Sequence, residues 1–249
     1  MALEAHPDWL RPDWTAPGVG ALMTTRAGGV SRGAFDSMNL KPGLGDDDAA
    51  VAANQARLAQ AIGAVPVWLD QVHGHDVLRL HQGQGGARAD ASVSTEPGVA
   101  CVVQVADCLP VLFAAPQARG VAAAHAGWRG LAAGVLEATL AALCAATGCA
   151  PHELQVWLGA CIGPRRFEVG ADVLAAFGAA PAHAGPRFEP RASGKWLADL
   201  PGLARDRLAA AGVRRVSGGS WCTVEDESRF FSFRRDRRTG RMAAGVPMT

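Results

Sequence analysis

Residues 99–130 read VACVVQVADCLPVLFAAPQARGVAAAHAGWRG. Three short apolar runs, 99–108, 111–115 and 120–127, follow one another here with only turn residues between them, the signature of consecutive strands. Strands in direct succession do not fit a regular doubly wound alternation. The chain therefore reads as layered α+β with mixed sheets.

The flanking sequence supplies the other layers. Downstream, 130–148 carries Leu136, Leu140 and Leu143 on one helical stripe with Val135 beside it, and Gly148 ends it. A strand is expected over 154–160 and another over 229–236, RFFSFRRD. Within 195–212 a helix should begin near Pro201, which suits a first turn. Upstream, Val51, Leu58 and Ile62 recur at helical spacing and Gly63 caps the run. Gly/Pro/Ala-rich stretches at 81–90, 114–120 and 178–194 read as loops, the last long enough to move. No repeat or linker divides the chain, and 1–249 is expected to be a single domain. Neither GxGxxG nor GxxxxGK[ST] occurs, which removes the two commonest nucleotide-binding loops.

Composition narrows the function classes. Of 249 residues, 49% are hydrophobic and 19% charged, an ordinary globular balance. A net charge of +1 gives no long-range field for nucleic acid or an anionic membrane, so any anion must be bound by local arginines. With no basic, apolar leader and no long apolar run, a cytoplasmic location is expected. In that compartment the six cysteines should be reduced, and the absence of CxxC signals neither a zinc ribbon nor a thioredoxin-type site.

Strand alternation over 99–108 puts Val102, Gln104, Ala106 and Cys108 on one face and Asp107 on the other. Pro110 argues against continuation as a central strand, so Asp107 and Cys108 fall at a strand end. His125 stands at the joint between a strand and the helix after it, and His73 interrupts a strand-like run in WLDQVHGHDVLRL. Together His73, Cys108 and His125 offer the three protein ligands of a catalytic zinc. Their separations match no local zinc motif, and a hydrogen-bonded structural histidine or a cysteine used as a small hydrophobe explains each one equally simply.

Several blocks then occur in a distinctive order: TTRAGGVSRGAFDSMNL, QVHG, ADCLPVL, AAHAGWRG, LGACIGP, FEVG and FFSFRRDRRTGRMA. In these the chain resembles the YfiH-like family from about residue 20 to 245, a family formerly labelled multicopper polyphenol oxidoreductase or laccase. The resemblance implies a layered α/β sandwich like that of a cysteine-hydrolase toxin. It implies zinc held by His73, Cys108 and His125, and zinc-dependent phosphorolysis of adenosine, inosine and methylthioadenosine to base and ribose 1-phosphate, with adenosine deaminase activity. Nucleoside and phosphate are the implied partners, and no protein partner is implied. One departure is NLKPGLGDDD, where family members often carry NLGxHVGDD; the histidine is missing here.

Such a zinc site lowers the pKa of water toward about 7, the reagent that deamination at C6 of adenosine needs. Proton transfer falls to Asp107, Asp70 or Glu168, with Glu168 placed first because regular alternation turns Asp107 away from Cys108. For substrate, Arg26 and Arg129 have neighbouring glycines that let an anion approach, and Asn39 is grouped with them. The arginines at 229, 234, 235, 237, 238 and 241 read as solvated surface charge. Seven scattered histidines cannot build the several sites of a copper oxidase, although adventitious copper could give weak polyphenol oxidase activity. Two other classes stay open: a hydrolase with Cys108 as nucleophile and His125 as base, acting on peptidoglycan precursors, and a non-catalytic metabolite-binding module.

Overall fold

The structure is a computed structural model and describes residues 5–81 and 85–248. In chain order its first half runs β1 (Leu22–Met23), α1 (Asp48–Ile62), β2 (Val65–Val67), β3 (Val77–Arg79), β4 (Ala91–Ser94), β5 (Val99–Val105), β6 (Leu109–Ala114), β7 (Val121–Ala126) and α2 (Trp128–Ala132). The second half runs α3 (Val135–Thr147), β8 (Gln155–Leu158), β9 (Glu168–Val169), α4 (Ala171–Ala176), β10 (Phe188–Arg191), β11 (Lys195–Ala198), α5 (Leu200–Ala210), β12 (Arg215–Gly218), α6 (Phe233–Asp236) and β13 (Met242–Pro247).

Two mixed sheets form the middle of the molecule. One has the order β12-β8-β6-β7-β4-β3 and the other β1-β13-β5-β2; a third, antiparallel, is β10-β11-β9. In the first, β12 with β8 and β3 with β4 are parallel while the remaining pairs are antiparallel. This is the layered α+β architecture with mixed sheets that the consecutive strands indicate.

Side-chain alternation sorts the core into layers. Val111, Phe113, Ala122 and Ala124 face Leu136, Leu140 and Leu143 of α3 and Leu203 and Leu208 of α5. The opposite face of the same strands, with Leu112, Val121, Ala123 and Trp157, packs on Cys101, Val103, Val105, Met242 and Ala244 of the second sheet. Beyond it, Ala100, Val102 and Ala243 meet Leu58 and Ile62 of α1. Strands buried on both faces have no polar side to show, and so β5 to β7 read as near-continuous apolar runs. Truncating a side chain such as Phe113, which is fully buried, would cost about 3–5 kcal/mol.

Several boundaries differ from the sequence expectation. β5 stops at Val105, and β6 begins at Leu109 and includes Pro110. The proline is tolerated because its carbonyl accepts from Gly159 N–H at 2.9 Å, just beyond the end of β8. A residue's N–H and C=O point to the same antiparallel neighbour, so the missing donor also faces the point where that ladder has ended. The helix expected over 130–148 is two helices, broken at Gly134 with φ 95°. Residues 188–191 of the expected third loop form β10. The stretch 229–236 is not a strand: its first residues pair with no strand, Phe230 and Phe231 are both buried, and Ser232 caps α6 by accepting from Arg235 N–H at 3.1 Å. Part of the 81–90 loop lies outside the described residues. α1 is capped at its start by Asp47, whose side chain accepts from Ala49 N–H, and at its end by Gly63. α5 is capped by Asp199, which accepts from Gly202 N–H.

None of the helices among the described residues is long and apolar enough to cross a membrane. All six cysteines are free thiols.

Candidate metal and substrate site

Cys108 follows the turn between β5 and β6, and its orientation depends on Asp107. Asp107 has φ 97°, a conformation that non-glycine residues seldom adopt. Three hydrogen bonds hold it there: its carboxylate accepts from the Thr223 hydroxyl and from Arg234 N–H, both at 2.6 Å, and its carbonyl accepts from Ile162 N–H at 2.9 Å. This turn ends the strand's alternation, so Asp107 and Cys108 line one cavity. The expectation that Asp107 turns away fails for that reason.

His125 lies in β7 opposite Pro110, and its backbone N–H donates to the Asp90 carbonyl at 2.7 Å. Its ring Nδ1 lies 2.8 Å from Oδ1 of Asp90, whose side chain is fully buried. The same carboxylate accepts the backbone N–H groups of Val72 (3.1 Å), His73 (2.9 Å) and Gly74 (2.6 Å). One buried carboxylate thus fixes one histidine by its ring and the other by its backbone. Such an outer carboxylate selects the imidazole tautomer that leaves Nε2 free to ligate.

The three side chains converge. His73 Nε2 lies 3.8 Å from the Cys108 sulfur, and the two imidazoles stand edge to face with centroids 4.8 Å apart. Donor atoms of His73, Cys108 and His125 all lie within 4.8 Å of one another, and no other such cluster occurs among the described residues. Two neutral nitrogens and one thiolate around an open cavity suit a catalytic zinc. Burial works against the Cys108 thiolate, but the charge and hydrogen bond of His125, with His73 behind them, hold its pKa down at about 6. Burial likewise disfavours charge on His125, and the Cys108 thiolate and Asp90 outweigh it, raising the imidazole to about 9.

Why the sequence around His125 is so small is now clear. A Cβ on Gly127 would come within 3.0 Å of both the Cys108 sulfur and the His73 ring, and one on Gly130 within 2.6 Å of the Gly74 carbonyl. Glycine at these positions serves close approach.

The cavity, of about 450 Å³, is walled by Trp128, Ile162, Phe167 and Phe233 and carries Lys41, Arg129, Arg234 and Arg241. Arg129 extends over the Trp128 ring at 4.5 Å. Asp107 is the carboxylate of this cavity; Glu168 is exposed on β9 and Asp70 is exposed too, and neither lines it. Glu168 contributes its carbonyl, which accepts from the Arg234 guanidinium at 2.9 Å.

Two expected substrate contacts are engaged elsewhere. Arg26 donates to the carbonyls of Asp36 and Glu227, each at 3.0 Å, and covers the Phe231 ring. Asn39 is fully buried: Oδ1 accepts from Lys41 N–H (3.2 Å) and Arg241 N–H (2.9 Å), while Nδ2 donates to the Lys41 carbonyl and the Asp46 carboxylate. Its polar atoms are used up in joining two chain segments. The C-terminal arginines are not simply surface charge either, since Arg234 and Arg241 enter the cavity and Arg235 donates to the carbonyls of Thr223, Val224 and Phe230. No periodicity or spacing in the sequence marks Asp90 or Lys41, and Arg241 reads there only as surface charge.

The family model described as multi-copper polyphenol oxidoreductase laccase matches residues 20–249. The chain belongs to that family. A Pseudomonas aeruginosa relative named purine nucleoside phosphorylase is 53% identical, over 96% of this chain and 97% of its own. The Escherichia coli protein named purine nucleoside phosphorylase YfiH is 50% identical, over 94% and 96%. Among solved structures, the Neisseria meningitidis protein NMB0706 superposes with a TM-score of 0.90 at 46% identity, covering 97% of this chain and 99% of that one. The family name refers to copper, and the ligand cluster found here is compatible with a metal.

Proposed function

We propose that the chain is a zinc-dependent purine nucleoside phosphorylase with adenosine deaminase activity. The supporting observation is the convergence of His73, Cys108 and His125 in a cavity that also holds four cationic and several aromatic side chains. The names of the relatives agree with it.

His73, Cys108 and His125 would hold the metal. When bound, a zinc ion supplies positive charge that polarises an oxygen ligand and lowers the pKa of water toward about 7. The chain's own groups do the rest. In phosphorolysis a phosphate oxygen bonds to C1′ of the sugar as the bond to the purine nitrogen breaks, and the purine leaves with the electron pair and takes up a proton. Cationic side chains must hold the phosphate for this, and aromatic walls such as Trp128 and Phe233 exclude water from the base. In deamination one water adds at C6 of adenosine and ammonia departs, so a proton has to cross from oxygen to nitrogen. Asp107, held by Thr223 and Arg234, is the carboxylate of the cavity that can carry it.

Copper oxidase chemistry fits less well, since a multicopper site needs several clusters and the described residues contain one. A second reading, Cys108 as the nucleophile of a hydrolase, draws on its depressed pKa beside His125. Incubation of the zinc-loaded protein with adenosine, with and without phosphate, separates the activities. Adenine only when phosphate is present indicates phosphorolysis, inosine without phosphate indicates deamination, and no product from either would sink the assignment.

A further inference from the structure

We propose that Lys41 and Arg241 form the phosphate-holding end of the cavity, an inference that rests on the nucleoside phosphorylase reading. The cavity is charged unevenly. Lys41, Arg129, Arg234 and Arg241 line it together with one carboxylate, Asp107, which is already engaged by Thr223 and by Arg234 N–H. None of these four cations forms an ion pair among the described residues, whereas arginines elsewhere, such as the exposed Arg165 and the half-buried Arg187 and Arg207, do.

Within that set, Lys41 and Arg241 differ from the other two. Arg129 is exposed and lies on Trp128, and Arg234 is exposed with one arm on the Glu168 carbonyl. Lys41 and Arg241 are half-buried and come from segments 200 residues apart that the fold has fastened together. Leu40 N–H donates to the Arg241 carbonyl at 3.0 Å, and the buried Asn39 accepts the N–H groups of both Lys41 and Arg241. The Lys41 ammonium has no acceptor among the described residues. Arg241 donates from Nη1 to the carbonyls of Thr239 and Gly240, each at 3.0 Å, and lies over the Phe233 ring, while Nε and Nη2 have no acceptor among the described residues.

Half-burying two unpaired cations in one cavity is costly in a chain folded for its own stability. An oxyanion with two negative charges removes that cost. The planar guanidinium can bind two phosphate oxygens at once while the ammonium acts as a point charge on a third. Arg241 lines the same cavity as Cys108 and Asp107, so an anion held there lies on the side of the reacting groups. The other cavity arginines remain for steering and for the nucleoside.

Titration of inorganic phosphate into metal-loaded protein by calorimetry tests this, alongside steady-state KM values for phosphate and for nucleoside. Lys41→Met and Arg241→Met should each weaken phosphate binding about tenfold or more, with the nucleoside KM at saturating phosphate within about twofold of wild type, and Lys41→Arg should restore most of the loss. Circular dichroism establishes that each variant is folded. Should Arg241→Met unfold, Lys41→Met carries the test alone. Unchanged phosphate affinity in the folded variants, or a wild type that binds no phosphate, overturns the assignment. Normal phosphorolysis with an unchanged phosphate KM in the variants defeats this inference and leaves the activity standing; phosphate binding lost in the variants, with no ribose 1-phosphate made by wild type, does the reverse.

Discussion

Oδ1 of Asp90 lies 2.8 Å from Nδ1 of His125, with both side chains buried, and the same carboxylate accepts the backbone N–H of His73. A single anion thereby sets the position of two of the proposed metal ligands, one in β7 and one in the segment before β3. Asp90→Asn keeps the volume but removes the charge that fixes the His125 tautomer. Zinc affinity should fall about 10- to 100-fold, measured by competition with a chromophoric chelator, while the circular dichroism spectrum stays native.

Asp90 also gives the protein an acid limit. Burial alone would raise its pKa, but hydrogen bonds from His125, Gly74 and His73 with the His125 charge more than compensate and hold it below the ordinary carboxylate value. A group depressed in the folded state contributes stability that is present above its unfolded pKa of about 3.9 and is lost as pH falls through the folded value. Loss of the Asp90 contribution should therefore narrow the Tm gap between wild type and Asp90→Asn as pH falls below about 4. A gap that widens below that pH would contradict this sign.

Cys108 distinguishes a metal enzyme from a thiol hydrolase. In metal-stripped protein its pKa of about 6 predicts iodoacetamide labelling that rises through pH 6 and levels off near pH 7, with Cys101, pushed by burial up to about 12, unlabelled. Zinc loading should protect Cys108 and restore turnover together. Mass spectrometry of the labelled peptide reads both, and full activity of stripped protein would favour the hydrolase.

Gly127 tests the packing of the cluster without touching a ligand. Its φ of −63° suits any residue, so Gly127→Ala should fold normally. The added methyl, 3.0 Å from the Cys108 sulfur and from the His73 ring, should weaken zinc binding at least tenfold with a Tm shift of only a few degrees.

Asn39→Ala leaves the N–H groups of Lys41 and Arg241 without their acceptor inside the protein. We expect a loss of about 2–3 kcal/mol in urea unfolding, from unsatisfied buried groups. A phosphate KM raised more than the nucleoside KM would show that the clamp positions Lys41 and Arg241 as well as stabilising the fold.

Much of this was readable along the chain, and the pattern of success has a physical cause. Helix α1 announced itself by Val51, Leu58 and Ile62 and by Gly63, because spacing and caps are local. His73, Cys108 and His125 were named through sequence blocks that carry the family resemblance, and the fold brings them together. Other readings assumed regularity where hydrogen bonds from distant segments imposed something else. Asp107 was turned from its expected face by Thr223 and Arg234. Pro110 entered a central strand because β8 ends beside it. RFFSFRRD buried two consecutive phenylalanines and then coiled into α6.

By itself the sequence determined much of the order of helices and consecutive strands and the layered class that follows, since these depend on residue type and near neighbours; His73, Cys108 and His125 stood out only through the blocks that carry the family resemblance. Only the tertiary structure decided what surrounds them. Asp90, Asn39, Lys41 and Arg241 take their roles from partners as far as 200 residues away, and such a role leaves no periodic trace in the chain.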